Sequence, residues 1–336
     1  MVQSAENIKK IGIIGGGAWG TALACIAARA GHKTRLWVRE AELVETLNTQ
    51  HENTLYLPAI ALPETIQATN QLADMADCEA ILLATPAQHL DELLAQAIDH
   101  IAETSPIILC AKGIERGTLR LMPEIAATYL PQERIAVLSG PSFAADTANG
   151  LPTAVTLACG DMDIGQKLAH ALTLPSFRIY LSDDIIGASI GGAVKNVLAI
   201  ACGIVHGRKL GQSARAALTA RGFAEMTRLG RALGAKTETL AGLCGLGDLI
   251  LTCASTQSRN FSLGVALGHG KITTEILASR KSVSEGALTA QALYALASKH
   301  KVEMPICFAV ASIIDERADI DAVIMQLLAR PVTGKG

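Results

Sequence analysis

Charge is in short supply. Only 18% of the 336 residues are charged, and the formal net charge is −2. No excess of either sign invites nucleic acid or an anionic membrane. A site for an anionic ligand must then come from a few placed basic residues. Paired cysteines are missing as well. Cys25, Cys78, Cys110, Cys159, Cys202, Cys244, Cys253 and Cys307 stand singly, with no C-x-x-C pair and no Cys/His cluster at zinc spacing, so no metal site is expected. Most lie in apolar runs, where a free thiol behaves as a small hydrophobe. That usage fits a reducing cytosol. Fixed-period repeats and low-complexity tracts are absent too. Half of the residues are hydrophobic, which excludes general disorder. The length suits about two domains, each with a sizeable core.

One segment imitates a signal peptide or a membrane span. Lys9 and Lys10 precede a charge-free run from Ile11 to Ala28. Five glycines crowd its first half, and each interior glycine costs a helix about 1 kcal/mol relative to Ala. No other run reads as a span. The expectation is a soluble, cytoplasmic protein without membrane insertion.

The first half alternates strand and helix. Ile11–Ile14 is a short apolar run, a glycine turn follows, and Ala18–Ala30 has helical composition ending at Gly31. Thr34–Val38 reads as a second strand. Further strands are expected at Ala80–Thr85, Pro106–Ala111, Ile135–Gly140, Thr153–Cys159 and Phe177–Leu181. The pattern predicts an α/β fold, a doubly wound, Rossmann-type, mostly parallel sheet. After about Asp184 strand signals stop. Helices are expected at Ala188–His206, Gln212–Leu233, Ser284–His300 and Met304–Glu316. The division predicted is a dinucleotide-binding domain over 1–184, an all-helical substrate and catalytic domain over 185–330, and a tail over 331–336.

Gly15, Gly17 and Gly20 form a G-x-G-x-x-G between a strand and a helix. In that context the first glycine permits a tight turn, the second lets backbone approach a pyrophosphate, and the third lets helix and strand pack closely. The helix N-terminus then offers free N–H groups to phosphate. The second strand ends in "LWVRE". An acid there favours NAD through the ribose hydroxyls, and an arginine favours a 2′-phosphate. Arg39 comes first, which favours NADP over NAD; Arg39 as an ordinary surface charge is the alternative.

The apolar helix "ASIGGAVKNVLAIACGIVHG" carries Lys195 in its middle, with Asn196 beside it. An ammonium buried there is costly unless something uses it. Desolvation lowers a lysine pKa toward working pH, which suits a proton donor or acceptor in hydride chemistry. Gly191, Ala199 and Cys202 share its face and leave room for a ligand. The alternatives are a lysine that reaches the surface, or one paired with a buried carboxylate such as Asp248. Ser258, Arg259 and Asn260 form a polar triplet near a helix start. They suit a phosphate oxygen, or else form a plain N-cap followed by a surface arginine. Lys112 and the "SGPSFA" turn, with Gly140, Ser142 and Ala144, lie at strand ends where ligands of such folds bind.

These pieces resemble the bacterial-type NAD(P)-dependent glycerol-3-phosphate dehydrogenases. The resemblance rests on "GGGAWGTALA", "AKGIE", "GPSFA", "GGAVKN", "ARAALTARGFAEM", "GLGDLILTC", "STQSRN" and "SEG", in the family's order from Gly15 to Gly286. It implies that Lys195 is the catalytic base, or the acid in reduction. It implies that Lys112, Gly140, Ser142, Asp248, Ser258, Arg259 and Asn260 surround glycerol phosphate or dihydroxyacetone phosphate. The cofactor, NADPH in preference to NADH, would touch Ala18, Trp19, Arg39, Lys112, Ala144, Arg259, Val283 and Glu285. Ala18 replaces the more usual serine, and Ser284 stands where an apolar residue is usual. The expected role is supply of glycerol 3-phosphate for phospholipid synthesis; the apolar helices of the second domain would support a homodimer or form a single core. The nearest rival is a dehydrogenase of the 6-phosphogluconate or β-hydroxyacid type. A nucleotide-sensing regulator without chemistry would explain the glycine turn but not Lys195.

Overall fold

A computed structural model describes residues 8–278 and 284–329. The expected Val283 contact and the tail over 331–336 lie outside the described residues.

The apolar runs of the first half become strands. They are β1 (Lys10–Ile14), β2 (Lys33–Trp37), β3 (Glu52–Asn53), β4 (Leu57–Ala61), β5 (Ile66–Thr69), β6 (Ala80–Leu83), β7 (Ile107–Leu109), β8 (Ile135–Ser139), β9 (Thr153–Cys159) and β10 (Phe177–Ser182). Eight join one sheet in the order β10-β9-β8-β7-β6-β1-β2-β5, while β3 and β4 pair separately. Within the large sheet β8 and β9 are antiparallel and the other neighbours run parallel. The chain leaves β1 toward β2 and β5, then returns to β6 on the other side of β1. Ligands of open α/β sheets bind at the carboxyl ends of the strands where the order reverses. Here that crevice lies between the ends of β1 and β6.

The central strands are buried on both faces, as helix-covered parallel strands are. One face packs Leu23 and Ile26 of helix Ala18–Arg29 and Leu168 of helix Met162–Leu172. The other packs Leu94 of helix Leu90–Ala97 and Ile125 of helix Met122–Ala126.

Beyond β10 the described elements are helical. At their centre runs Ile185–Gly207, a helix of 23 residues whose start is capped by the Asp184 carboxylate accepting from the Gly187 N–H. By length and hydropathy it is able to cross a bilayer, contrary to the sequence expectation that no such run remained. It is 89% buried inside the protein, as the core helix of a globular fold is. A second stretch, Thr237–Ala254, passes the same test and is broken by a π-helical turn over Leu243–Gly247.

The central helix meets helix Arg259–Gly268 along a seam of glycines. A Cβ on Gly264 would lie 2.0 Å from the Ile200 carbonyl oxygen, and one on Gly203 would lie 2.1 Å from that of Phe261. Both partners are backbone and cannot move aside. Overpacking a tight contact costs about 1–3 kcal/mol and sometimes more, so Gly264→Ala should lower stability by at least about 2 kcal/mol. Urea unfolding checks this; an unchanged midpoint would show that the two helices separate freely.

Candidate active site

The glycine turn is built as its spacing requires. Gly15 has φ +124°, and a Cβ there would stand 2.7 Å from the Ala84 carbonyl oxygen just past β6. A Cβ on Gly20 would meet the Gly15 carbonyl oxygen at 1.8 Å. Gly17 is different: a Cβ would meet nothing within 4 Å, so the space above the turn is open. Gly17 is also the N-cap of helix Ala18–Arg29. No side chain caps that helix and no acid sits in its first turn. Free N–H groups at a helix start favour an anion. The buried indole Nε1 of Trp19 has no hydrogen-bond partner among the described residues. An open cradle, uncapped N–H groups and an unpartnered donor fit a dinucleotide pyrophosphate. Arg39, just beyond β2, is largely exposed and pairs with Glu40 at 3.1 Å.

Lys195 is 8% exposed, so it does not reach the surface. Its Nζ donates to Asp248 Oδ1 at 2.5 Å and to Thr252 Oγ1 at 3.1 Å. Lys112 Nζ donates to the other carboxylate oxygen of Asp248 at 2.9 Å. One carboxylate, 1% exposed, therefore holds two ammonium groups. Burial pushes the Lys195 amine down to about 8; Asp248 resists the fall and the Lys112 charge adds to it. For Asp248 burial acts upward, but the two lysines together hold its carboxyl below the usual carboxylate range. The pairing with Asp248 weighed in the sequence reading is thus present. It does not silence the amine, because a second cation shares the acid.

The bare face expected around Lys195 is filled at one end. A Cβ on Gly191 would lie 2.4 Å from the Cys244 carbonyl oxygen. The π-helical turn occupies that space and delivers Asp248 from its own end, at the first residue of helix Asp248–Ala254. Turns of this kind recur at functional sites. On the sheet side, Gly192 faces the ends of β7 and β8: a Cβ there would stand 3.1 Å from Ser139 Oγ and 3.2 Å from Lys112 Cγ. Lys195 therefore lies one helical turn from the carboxyl edge of the sheet.

Ser258 caps helix Arg259–Gly268, its hydroxyl accepting from the Phe261 N–H at 3.2 Å. The hydroxyl proton stays available as a donor. Arg259 is exposed at the first helical position. Asn260 is buried and braces three helices. Its Nδ2 donates to Asn196 Oδ1 at 2.9 Å and its Oδ1 accepts from the Gly286 N–H at 3.0 Å. Near the end of β8, a Cβ on Gly140 would lie 2.8 Å from Val155 Cα, and Ser142 Oγ donates to the Gly140 carbonyl at 3.1 Å. Ala144 opens the short helix that follows. Glu285 crosses from the helical part to the sheet, accepting from the Ala87 N–H at 3.1 Å. Burial raises its carboxyl, against the Ala87 N–H and the charges of Arg259, Lys112 and Lys195. Thr252 joins the site as well, signalled in the sequence only by its i+4 spacing from Asp248 on one helix.

A switch-point glycine turn, together with a buried lysine on an all-helical partner whose amine is held below the ordinary lysine range, defines an NAD(P)-dependent dehydrogenase. The family model described as NAD-dependent glycerol-3-phosphate dehydrogenase N-terminus matches residues 10–165, and its C-terminal counterpart matches 184–325. The glycerol-3-phosphate dehydrogenase (NAD(P)+) of Parvibaculum lavamentivorans is 58% identical over 323 residues, 96% of this chain and 97% of the relative. A crystal structure of glycerol-3-phosphate dehydrogenase from Coxiella burnetii superposes with a TM-score of 0.91 at 42% identity, covering 96% of this chain and 99% of that one. A D-mandelate dehydrogenase complex, at 18% identity and a TM-score of 0.63, shares the fold alone. The chain belongs to the NAD-dependent glycerol-3-phosphate dehydrogenase family.

Proposed function

We propose that the protein interconverts sn-glycerol 3-phosphate and dihydroxyacetone phosphate, with Lys195 moving the proton and NADPH as the favoured cofactor. The observation that carries this is the buried Lys195 amine, held by Asp248 and Thr252 and depressed to about 8. Bound at the glycine turn, the nicotinamide cofactor supplies or accepts the hydride. In reduction, the Lys195 ammonium polarises the ketone oxygen and gives it a proton. In oxidation, the neutral amine takes the hydroxyl proton. Asp248 and Thr252 fix the direction of Nζ. Lys112, on the second oxygen of Asp248, keeps that carboxylate from drawing the Lys195 pKa back to the ordinary lysine range.

Arg259 and the Ser258 hydroxyl bind the substrate phosphate, with the backbone and hydroxyl of the Gly140–Ser142 turn beside the substrate. Asn260 holds the triplet in place through Asn196 and Gly286. Phosphate binding far from the reacting carbon orients that carbon. Arg259→Ala should therefore cut kcat/KM for dihydroxyacetone phosphate by about 10–100-fold, the size of a lost charged hydrogen bond. It should leave the slow reaction of unphosphorylated dihydroxyacetone nearly unaffected. Equal losses on both ketones would remove Arg259 from the phosphate site.

All eight cysteines are free and buried, the state a reducing cytoplasm preserves, and we place the reaction there, feeding phospholipid synthesis. The test of the whole reading is a rate comparison of NADPH and NADH with dihydroxyacetone phosphate. Turnover with both and a higher kcat/KM for NADPH is the expected result. No turnover with either cofactor would overturn the assignment.

A further inference from the structure

Three residues after β2 stands an acid, Glu40, that ought to favour NAD. A carboxylate in this region takes the adenosine ribose hydroxyls, which would work against the NADPH preference proposed above. The surroundings of Glu40 resolve the conflict. Glu40 occupies the N-cap position of helix Ala41–Gln50, yet its side chain makes no capping bond. A carboxylate there would ordinarily accept from its own helix. Instead, Glu40 Oε1 accepts from the Tyr56 hydroxyl at 3.0 Å and from Arg39 Nη2 at 3.1 Å. The Glu40 side chain is 27% exposed, while the Arg39 side chain is 79% exposed.

Tyr56 is itself placed with respect to the glycine turn. It lies between β3 and β4, and its N–H donates to Asn53 Oδ1 at 3.0 Å. Asn53 is fully buried. Its Nδ2 donates to the Gly16 carbonyl at 2.8 Å and to Thr21 Oγ1 at 2.7 Å. One amide thus ties the hairpin to the turn that holds the pyrophosphate and to the helix behind it. The backbone of Tyr56 is therefore anchored to the cofactor cradle, and its hydroxyl reaches Glu40 from there.

We propose that Tyr56 is a specificity-determining residue: its hydroxyl holds the Glu40 carboxylate away from the ribose hydroxyls and leaves the open side of Arg39 to the adenosine 2′-phosphate. The proposal rests on the NADPH reading above. Tyr56 acts through Glu40 and Arg39 and is a positioning residue. Without its hydroxyl, Glu40 loses one of its two side-chain donors. It then either accepts from a ribose hydroxyl, which helps NADH, or grips Arg39 more closely, which weakens NADPH. Both routes lower the preference for NADPH.

The test has a binding arm and a kinetic arm. Calorimetry gives Kd for 2′,5′-ADP and for 5′-ADP, which differ by the 2′-phosphate. Steady-state rates give kcat/KM for NADPH and NADH with saturating dihydroxyacetone phosphate. Tyr56→Phe should lower the preference for the 2′-phosphate in both arms by about fivefold, with the kinetic change carried by KM; the net worth of one ordinary, partly exposed hydrogen bond sets that scale. Glu40→Gln, which removes the competing charge, should raise the preference. In the Glu40→Gln background, Tyr56→Phe should change nothing further, because the two residues act as one unit. An unmoved ratio in Tyr56→Phe, or the same shift with and without Glu40, overturns the role of Tyr56 while the cofactor reading stands. A wild-type protein that binds 5′-ADP and uses NADH better overturns the cofactor reading, and the role of Tyr56 with it.

Discussion

Lys195→Ala should cut turnover by about a thousandfold or more and leave the cofactor bound. General acid–base groups typically contribute about 10²–10⁴-fold, and in the proposed mechanism the same ammonium also polarises the ketone oxygen. The variant should fold. Removing Lys195 does not strand Asp248, because Lys112 still donates to its second oxygen at 2.9 Å. Fluorescence of bound NADPH reports the cofactor, and stopped-flow absorbance reports hydride transfer. The wild-type pH profile supplies the companion result. Lys195 titrates near 8, well below an ordinary lysine. In oxidation the neutral amine is required, so kcat/KM should rise with pH up to about 8 and then level. In reduction the ammonium is required, so the rate should hold at lower pH and decline above about 8. Near-normal turnover of Lys195→Ala at every pH would end the assignment.

Asp248→Asn should be the most destabilising single change at the site. The carboxylate is 1% exposed and serves Lys195 and Lys112 together. An amide keeps the shape and removes the charge, leaving two neighbouring ammonium groups without their counter-ion. Breaking a buried ion pair on one side costs about 3–5 kcal/mol. Chemical denaturation should show a loss of that order. The surviving activity should also move on the pH axis. Asp248 resists the depression of Lys195, so its neutralisation lowers the lysine pKa further. The decline of the reductive rate should then begin at lower pH than in the wild type. An unchanged denaturation midpoint with an unchanged pH profile would show that the carboxylate is not shared as described.

The parts of this site that a reader of the sequence could see are those with a local cause. Gly15 and Gly20 stand out because the backbone at those points admits no Cβ. Lys195 stands out because a charge inside an apolar helix is conspicuous anywhere. The sequence also suggested Asp248 as one possible partner. Nothing local, however, says that Lys112, 136 residues from Asp248, closes on the same carboxylate. That meeting is a product of strand order and helix docking. The β3–β4 hairpin escaped notice for another reason. Its first strand is two residues long, and most of β4 is exposed, so hydrophobic alternation is too short to register. Edge strand β5 buries only Ile66 and Ala68. The first of these omissions bears on the proposed cofactor choice, because the hairpin carries Asn53 and Tyr56.

The glycine seam has a consequence for which molecules are accepted. At Gly203 and Gly264 the central helix and helix Arg259–Gly268 meet backbone against backbone, with no side chain at those points to compress or rotate. Lys195 rides on the first helix and the Ser258–Asn260 triplet heads the second. With the roles proposed for them, the span from the proton-transferring nitrogen to the phosphate clamp is built as a rigid gauge. It measures the length of the carbon skeleton lying between a carbonyl and its phosphate. A substrate one carbon longer has to buckle, because the calipers do not open.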